Sequence, residues 1–305
     1  MTRLFKPNIH VDLNTPRQFL LDNITANLSR GLPTLKVGRA LLVCGGPSIA
    51  SHESDILRHK LDGWDVFACN GAHDWLIERG IKPHAAVLMD ATEKVNAFIR
   101  QPQENCIYYC ASQTHPSLVE RLAENNIVIL WHAPLDADQM KHIGKLDPGC
   151  TIMAGGLTVG LNAIHVLFTS GYKKIRIYGM DSSFGPEDRD HAYSNPESKS
   201  KIYDFYFQGE RFRSTGALVV QAQTFVEHWK KYHSIGVHIH VVGNGLLPAM
   251  WRAQLKEIVN GRRSNVGDRT LEQNRAGHLG PVSSEVLLGQ APSEAGEREA
   301  GDAGL

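Results

Sequence analysis

The architecture turns on LLVCGGPSIASHESDILRHKL, residues 41–61. Its first four residues are apolar with no polar alternation, the pattern of a strand buried on both faces. Gly45-Gly46-Pro47-Ser48 stops that run, and a polar segment with helical spacing follows it. Strand, tight turn and helix in this order open a βαβ unit.

The same rhythm continues outward. Short β-rich runs stand at 40–44, 65–69, 85–89, 106–110, 127–131, 174–179 and 237–242. Between them lie helical segments at 51–61, 72–80, 115–126 and 156–171, and a long one at 215–236 precedes the last strand. The expected fold is α/β, a Rossmann-like, mostly parallel sheet with helices on both faces. Ahead of it, RQFLLDNITANLSRG (17–31) reads as a helix with Pro16 at its first turn and Gly31 beyond its end. Residues 1–37 are therefore an expected N-terminal helical extension and 38–260 the Rossmann-like domain. Residues 261–305, rich in Gly, Ser, Glu and Arg, are expected to be a disordered tail, because they cannot bury enough apolar surface to offset their ordering entropy. Residues 186–215 carry no pattern that can be decoded.

Formal net charge is zero, so nothing global draws the chain to nucleic acid or to an acidic membrane. No apolar stretch approaches the roughly 18 residues that span a bilayer, and the N-terminus lacks the apolar core of a signal peptide. The five cysteines form no paired zinc motif and read mainly as small buried hydrophobes. A soluble protein of the reducing cytoplasm is expected.

Ligands of open α/β sheets gather beyond the carboxyl ends of the strands. At the first such end, Gly45, Gly46, Pro47 and Ser48 admit two readings: a plain tight turn, or bare backbone N–H groups cradling a phosphate. The following ends carry Asn70-Gly71, Asp90, Ser112 and Asp181. Asn70 reads as a base or sugar contact or as an Asx turn. Asp90 and Asp181 read as ligands of a hydroxyl or a metal-bridged phosphate, or as helix caps. Gly155, Gly156 and Thr158 open an apolar helix, a second set of free N–H groups. In the polar loop after Asp181, His191 is the histidine best placed for proton or charge management, with a surface role as the alternative.

Taken together, GGPS (45–48), CNGAHDWLIERGIKPHAAVLMD (69–90) and MAGGLTVGLNAIHVLFTSGYKKIRIYGMD (153–181) resemble the MptE-like 6-hydroxymethylpterin diphosphokinase family. The resemblance covers roughly residues 38–195. It implies a nucleotide site and the transfer of diphosphate from ATP, with Mg2+, to a hydroxymethyl acceptor such as a pterin. The same segments resemble bacterial sialyltransferases that use a CMP-sugar donor, which implies a CMP-type nucleotide in the same cleft. Two departures stand out. Asp90-Ala91-Thr92 has one carboxylate where the diphosphokinase pattern has an acidic pair. Ser183 and His191 stand where the transferases place tyrosines, with Tyr193 displaced. The expected enzyme is a transferase that takes a nucleotide and a small-molecule acceptor. Asp181, His191 and Asp90 are its candidate catalytic residues, and Asp90 and Asp181 its candidate metal ligands. Glycosyl transfer is the alternative activity, and a non-catalytic nucleotide- or sugar-binding module is the alternative role.

Overall fold

A computed structural model describes residues 15–27, 38–150, 152–153, 155–193 and 200–258. Gly31 and the segment expected to form a disordered tail lie outside the described residues. In chain order the elements are α1 (Arg17–Ala26), β1 (Arg39–Val43), α2 (Glu53–Leu61), β2 (Asp65–Cys69), α3 (Ala72–Ile77), β3 (Ala85–Leu88), β4 (Ile107–Ala111), α4 (Pro116–Ala123), β5 (Ile127–Trp131), α5 (Ala137–Leu146), α6 (Val159–Thr169), β6 (Lys174–Tyr178), β7 (Ile202–Phe207), β8 (Glu210–Thr215), α7 (Gly216–Ser234) and β9 (His238–Val241). A last helix, α8, covers 246–258.

Seven strands form one sheet in the order β5-β4-β3-β2-β1-β6-β9, all of them parallel. The expected Rossmann-like α/β architecture is the one observed. Both faces of β1 to β4 are covered, which is why these strands lack polar alternation, whereas β6 (Lys174, Arg176) and the edge strand β9 (His238, His240) alternate polar and buried apolar residues. Ala40, Leu42 and Cys44 point to one face, with side chains of α6, α7 and α8. Leu41 and Val43 point to the other, where α2 and α3 pack; α4 covers the same strands' neighbours through Leu118 and Leu122.

Three elements had no clear sequence signal. The hairpin β7–β8 occupies the stretch without a pattern, and Gln208 and Gly209 turn it at positive φ (51° and 84°). α5 begins where Asp136 accepts the Gln139 N–H. α8 follows β9 directly, and its first amides donate to Ser183 Oγ and to the Asp181 carbonyl.

The N-terminal helix is bound to the sheet end by two asparagines one turn apart. Asn23 donates to the carbonyls of Ala91 and Gln113, and Asn27 to those of Ser112 and Thr114. Both are buried, so α1 ties together the loops that leave β3 and β4. Among the described residues no helix is long and apolar enough to cross a membrane.

Candidate functional site at the switch point

The chain winds from β1 outward to β5, then returns to lay β6 on the other side of β1. The crevice between the carboxyl ends of β1 and β6 is therefore the topological switch point. Two segments leave there together, Gly45–Ser48 from β1 and Gly179–Asp181 from β6.

They are stitched to each other. The Cys44 N–H donates to the Tyr178 carbonyl (2.8 Å), the Gly46 N–H to the Gly179 carbonyl (2.8 Å), and the Ser48 N–H to Asp181 Oδ2 (2.9 Å). The amides of Gly46 and Ser48, expected to be bare, are thus engaged within the protein. The glycines serve close approach instead. A Cβ on Gly46 would lie 2.5 Å from both Asp181 Oδ2 and the Gly179 carbonyl. One on Gly45 would overlap Tyr193 Oη, and one on Gly71 would come within 2.7 Å of the same ring.

Asp181 is the residue around which the site is built. It is 3% exposed. Besides Gly46, a Cβ on Gly243 would lie 2.8 Å from its Oδ1, and one on Gly245 2.6 Å from its Cβ. Three residues without side chains make the slot for one carboxylate. Burial pushes its carboxyl above the usual aspartate value, while Ser48 and the charge of His52 pull the other way.

Two cavities meet at this carboxylate. The inner one, about 310 Å3, is lined by Gly45, Gly46, Asn70, Thr158, Val159, Gly160, Asp181, Ser182, Ser183, Asp190, His191 and Tyr193 among others. The outer one, about 750 Å3, lies between the 47–52 turn and the β7–β8 hairpin and is lined by Pro47, Ser48, His52, Asp181, Ser183, Phe184, Arg211, Arg213 and Asn244. Asp181, Ser183 and Phe184 border both.

Buried polar atoms nearly always find well-aligned partners, and several here lack one. Ser48 Oγ, Asn70 Oδ1, Thr158 Oγ1 and Asp181 Oδ1 are buried without a well-formed hydrogen bond. All four belong to residues bordering these cavities. The first-turn N–H groups of α6 likewise have no acceptor in their own helix, and Val159 and Gly160 line the inner cavity. Asn70 (φ 45°) and Ser182 (φ 53°) hold left-handed backbone beside it, a conformation that clusters at functional sites.

Most strand-end candidates converge here: Gly45, Gly46, Asn70, Thr158, Asp181 and His191 on the inner cavity, Pro47 and Ser48 on the outer, and Gly71 behind Tyr193. Other candidates do not. Asp90 borders an adjoining cavity of about 230 Å3, which shares Asn70 and Val159 with the inner one, and its Oδ1 accepts the N–H and hydroxyl of Thr92, both at 2.8 Å. Ser112 is fully buried, and its hydroxyl bonds His132 Nδ1. Gly155 and Gly156 shape the loop before α6: Asn162 accepts the Gly155 N–H and donates to the carbonyls of Gly156 and Thr158.

Tyr193, read from sequence as displaced, comes to the inner cavity beside His191, ring centroids 5.2 Å apart. Burial raises its phenol. Asp190 is an addition. It bonds His191 Nδ1 at 3.0 Å, and that bond holds its carboxyl below the usual range. Proximity to His191 in sequence was the only signal for Asp190, and the transferases' loop tyrosines the signal for Tyr193.

The family described as "6-hydroxymethylpterin diphosphokinase MptE-like" matches residues 18–187, more than half of the chain. The chain belongs to the MptE-like family. This MptE-like chain is also similar in fold to the MAf glycosyltransferase from Magnetospirillum magneticum AMB-1, with a TM-score of 0.57 and 12% identity. That superposition covers 82% of this chain and 43% of the glycosyltransferase, so the chain spans less than half of that neighbour's length. No curated protein matches the chain.

Proposed function

We propose that the chain is a nucleotide-dependent group transferase, with the donor in the inner cavity, the acceptor hydroxyl entering from the outer one, and Asp181 as general base between them. The observation that carries this reading is the set of buried polar atoms at the switch point without a well-formed hydrogen bond, Asn70 Oδ1 and Thr158 Oγ1 foremost. A donor phosphate would accept from Thr158 Oγ1 and the first-turn amides of α6. The nucleoside would meet Asn70.

In the transfer step the acceptor oxygen bonds to the transferred group as that group's bond to a nucleotide phosphate oxygen breaks. The electron pair leaves on the phosphate, and the hydroxyl proton passes to the Asp181 carboxylate. His191, braced by Asp190, and Tyr193 are the donors placed to meet the departing phosphate.

Of the possible donors, the geometry favours a nucleotide sugar of CMP type, because one buried carboxylate and a wall of hydroxyl and amide groups suit a single phosphate. The structural neighbour's name, a glycosyltransferase, supports glycosyl transfer without naming a donor. Diphosphate transfer from ATP to a hydroxymethyl acceptor such as a pterin is the second reading, supported by the family's description. Mg2+ would then rest on Asp181 and the donor's own phosphates.

Thermal melts with ATP, CTP, CMP and UDP, each with and without Mg2+, separate the readings. The first expects metal-independent stabilisation by CMP, about 2.7 kcal/mol at a hundredfold excess over Kd. Stabilisation by ATP only with Mg2+ selects the second. Binding without turnover on sugar and pterin acceptors would leave a binding module, and no binding of any nucleotide overturns the proposal.

A further inference from the structure

At the far edge of the sheet, the segment after α5 folds back along β5. The Cys150 N–H donates to the Asp147 carbonyl (3.2 Å), the Met153 N–H to the His132 carbonyl (2.9 Å), and Trp131 Nε1 to the Met153 carbonyl (3.3 Å). A parallel bridge pairs His132 with Ile152. This backbone pairing places three different donors together, and the nucleotide site uses none of them. One donor atom each from His132, Asp147 and Cys150 lie within 4.8 Å of one another.

We propose that His132, Asp147 and Cys150 bind one divalent zinc-type ion. In tetrahedral zinc coordination, bonds of about 2.0–2.3 Å set neighbouring nitrogen and oxygen ligands roughly 3.3 Å apart. His132 Nε2 and Asp147 Oδ2 are already 3.2 Å apart. Cys150 follows Gly149, whose left-handed backbone (φ 89°) has open space around it, so a small turn movement brings the sulfur in.

The imidazole is already supported from behind. His132 is fully buried, and Ser112 Oγ lies 2.8 Å from its Nδ1. A serine hydroxyl both donates and accepts. It can therefore donate to Nδ1 while Nε2–H faces Asp147, or accept from Nδ1–H when Nε2 turns its lone pair to a metal. Ligating histidines are regularly held in this way by a group on their other nitrogen. A thiolate and a carboxylate together cancel the charge of a divalent ion, so the loaded site would be neutral, which suits a half-buried position. The fourth position would go to water. The ion would pin the segment that leads through Gly155 and Gly156 to α6.

The test uses the full chain, stripped with a chelator and titrated with Co2+ and then Zn2+. One equivalent of Co2+ is expected to give tetrahedral visible bands and a thiolate-to-cobalt charge-transfer band, both removed by stoichiometric Zn2+. Cys150→Ser, at a half-buried position that will not endanger the fold, is expected to abolish the charge-transfer band. Ser112→Ala is expected to keep the band and weaken Zn2+ binding about 10- to 100-fold. The proposal is overturned if the band is absent from the wild type, if it persists in Cys150→Ser, or if Ser112→Ala binds Zn2+ as tightly as the wild type.

Discussion

Replacing Asp181 with Asn removes a charge from a slot formed by Gly46, Gly243 and Gly245, where Oδ1 has no well-formed hydrogen bond. The amide keeps an acceptor for the Ser48 N–H, so the stitch between β1 and β6 survives. What disappears is the cost of keeping a carboxylate ionised in this buried slot, about 1–3 kcal/mol. The sign follows from the raised carboxyl. The folded state holds its proton more tightly than the unfolded chain, so the residue's contribution is fully favourable below the ordinary aspartate value and is lost as pH rises through the folded one. Asp181→Asn is thus expected to stabilise the protein near neutral pH, by about 2–4 °C per kcal/mol, with the gain vanishing at acid pH. Transfer should fall about 10²- to 10⁴-fold through loss of the general base, and the acid limb of the wild-type rate profile should lie above the ordinary carboxylate range. Thermal melts and single-turnover assays across pH measure both. A variant less stable than wild type at neutral pH, or one that transfers at an undiminished rate, refutes the reasoning.

Gly45→Ala drives a methyl into Tyr193 Oη and is expected to cost about 1–3 kcal/mol; adding Tyr193→Phe should recover part of that loss in a double-mutant cycle, and strict additivity would separate the two residues. Asn162→Ala leaves the Gly155 N–H and the Gly156 carbonyl unpaired, while the Thr158 carbonyl keeps the backbone N–H of residue 162, with an expected loss of about 2–4 kcal/mol by urea denaturation and weaker nucleotide binding, because the loop it clamps sets the start of α6. His191→Gln is expected to lower the transfer rate about 10²- to 10³-fold with little change in melting temperature, since its contribution is to the departing phosphate; an unchanged rate would remove it from the mechanism.

The strands at 40–44 and 65–69 were legible almost to the residue, because burial on both faces writes itself as an almost unbroken apolar run, and 174–179 because Lys174 and Arg176 alternate with buried Ile175 and Ile177. Hairpin β7–β8 was not, since IYDFYF (202–207) carries aromatic residues on both sides with Tyr203 and Tyr206 exposed, so neither alternation nor a buried run marks it. Asn70 and Asp181 could be placed because position at a strand's carboxyl end is itself a sequence property. Which amides stay free was not legible: the Ser48 N–H is taken by a carboxylate 133 residues away. Nor could sequence show that Ser112, at an equivalent strand end, turns toward His132, or that Asp90 spends its acceptor on Thr92. Those outcomes are set by side-chain direction and tertiary neighbours, as is the approach of Tyr193 to Gly45 and Gly71.

A structure of the chain with a bound CMP-type nucleotide bears most directly on the role given to Asp181. The phosphate is predicted within hydrogen-bond distance of the Val159 or Gly160 amide and Thr158 Oγ1, with Asp181 Oδ1 between it and the outer cavity. A nucleotide bound away from the switch point, or one whose phosphate leaves Asp181 out of reach of the bond to be broken, would contradict it.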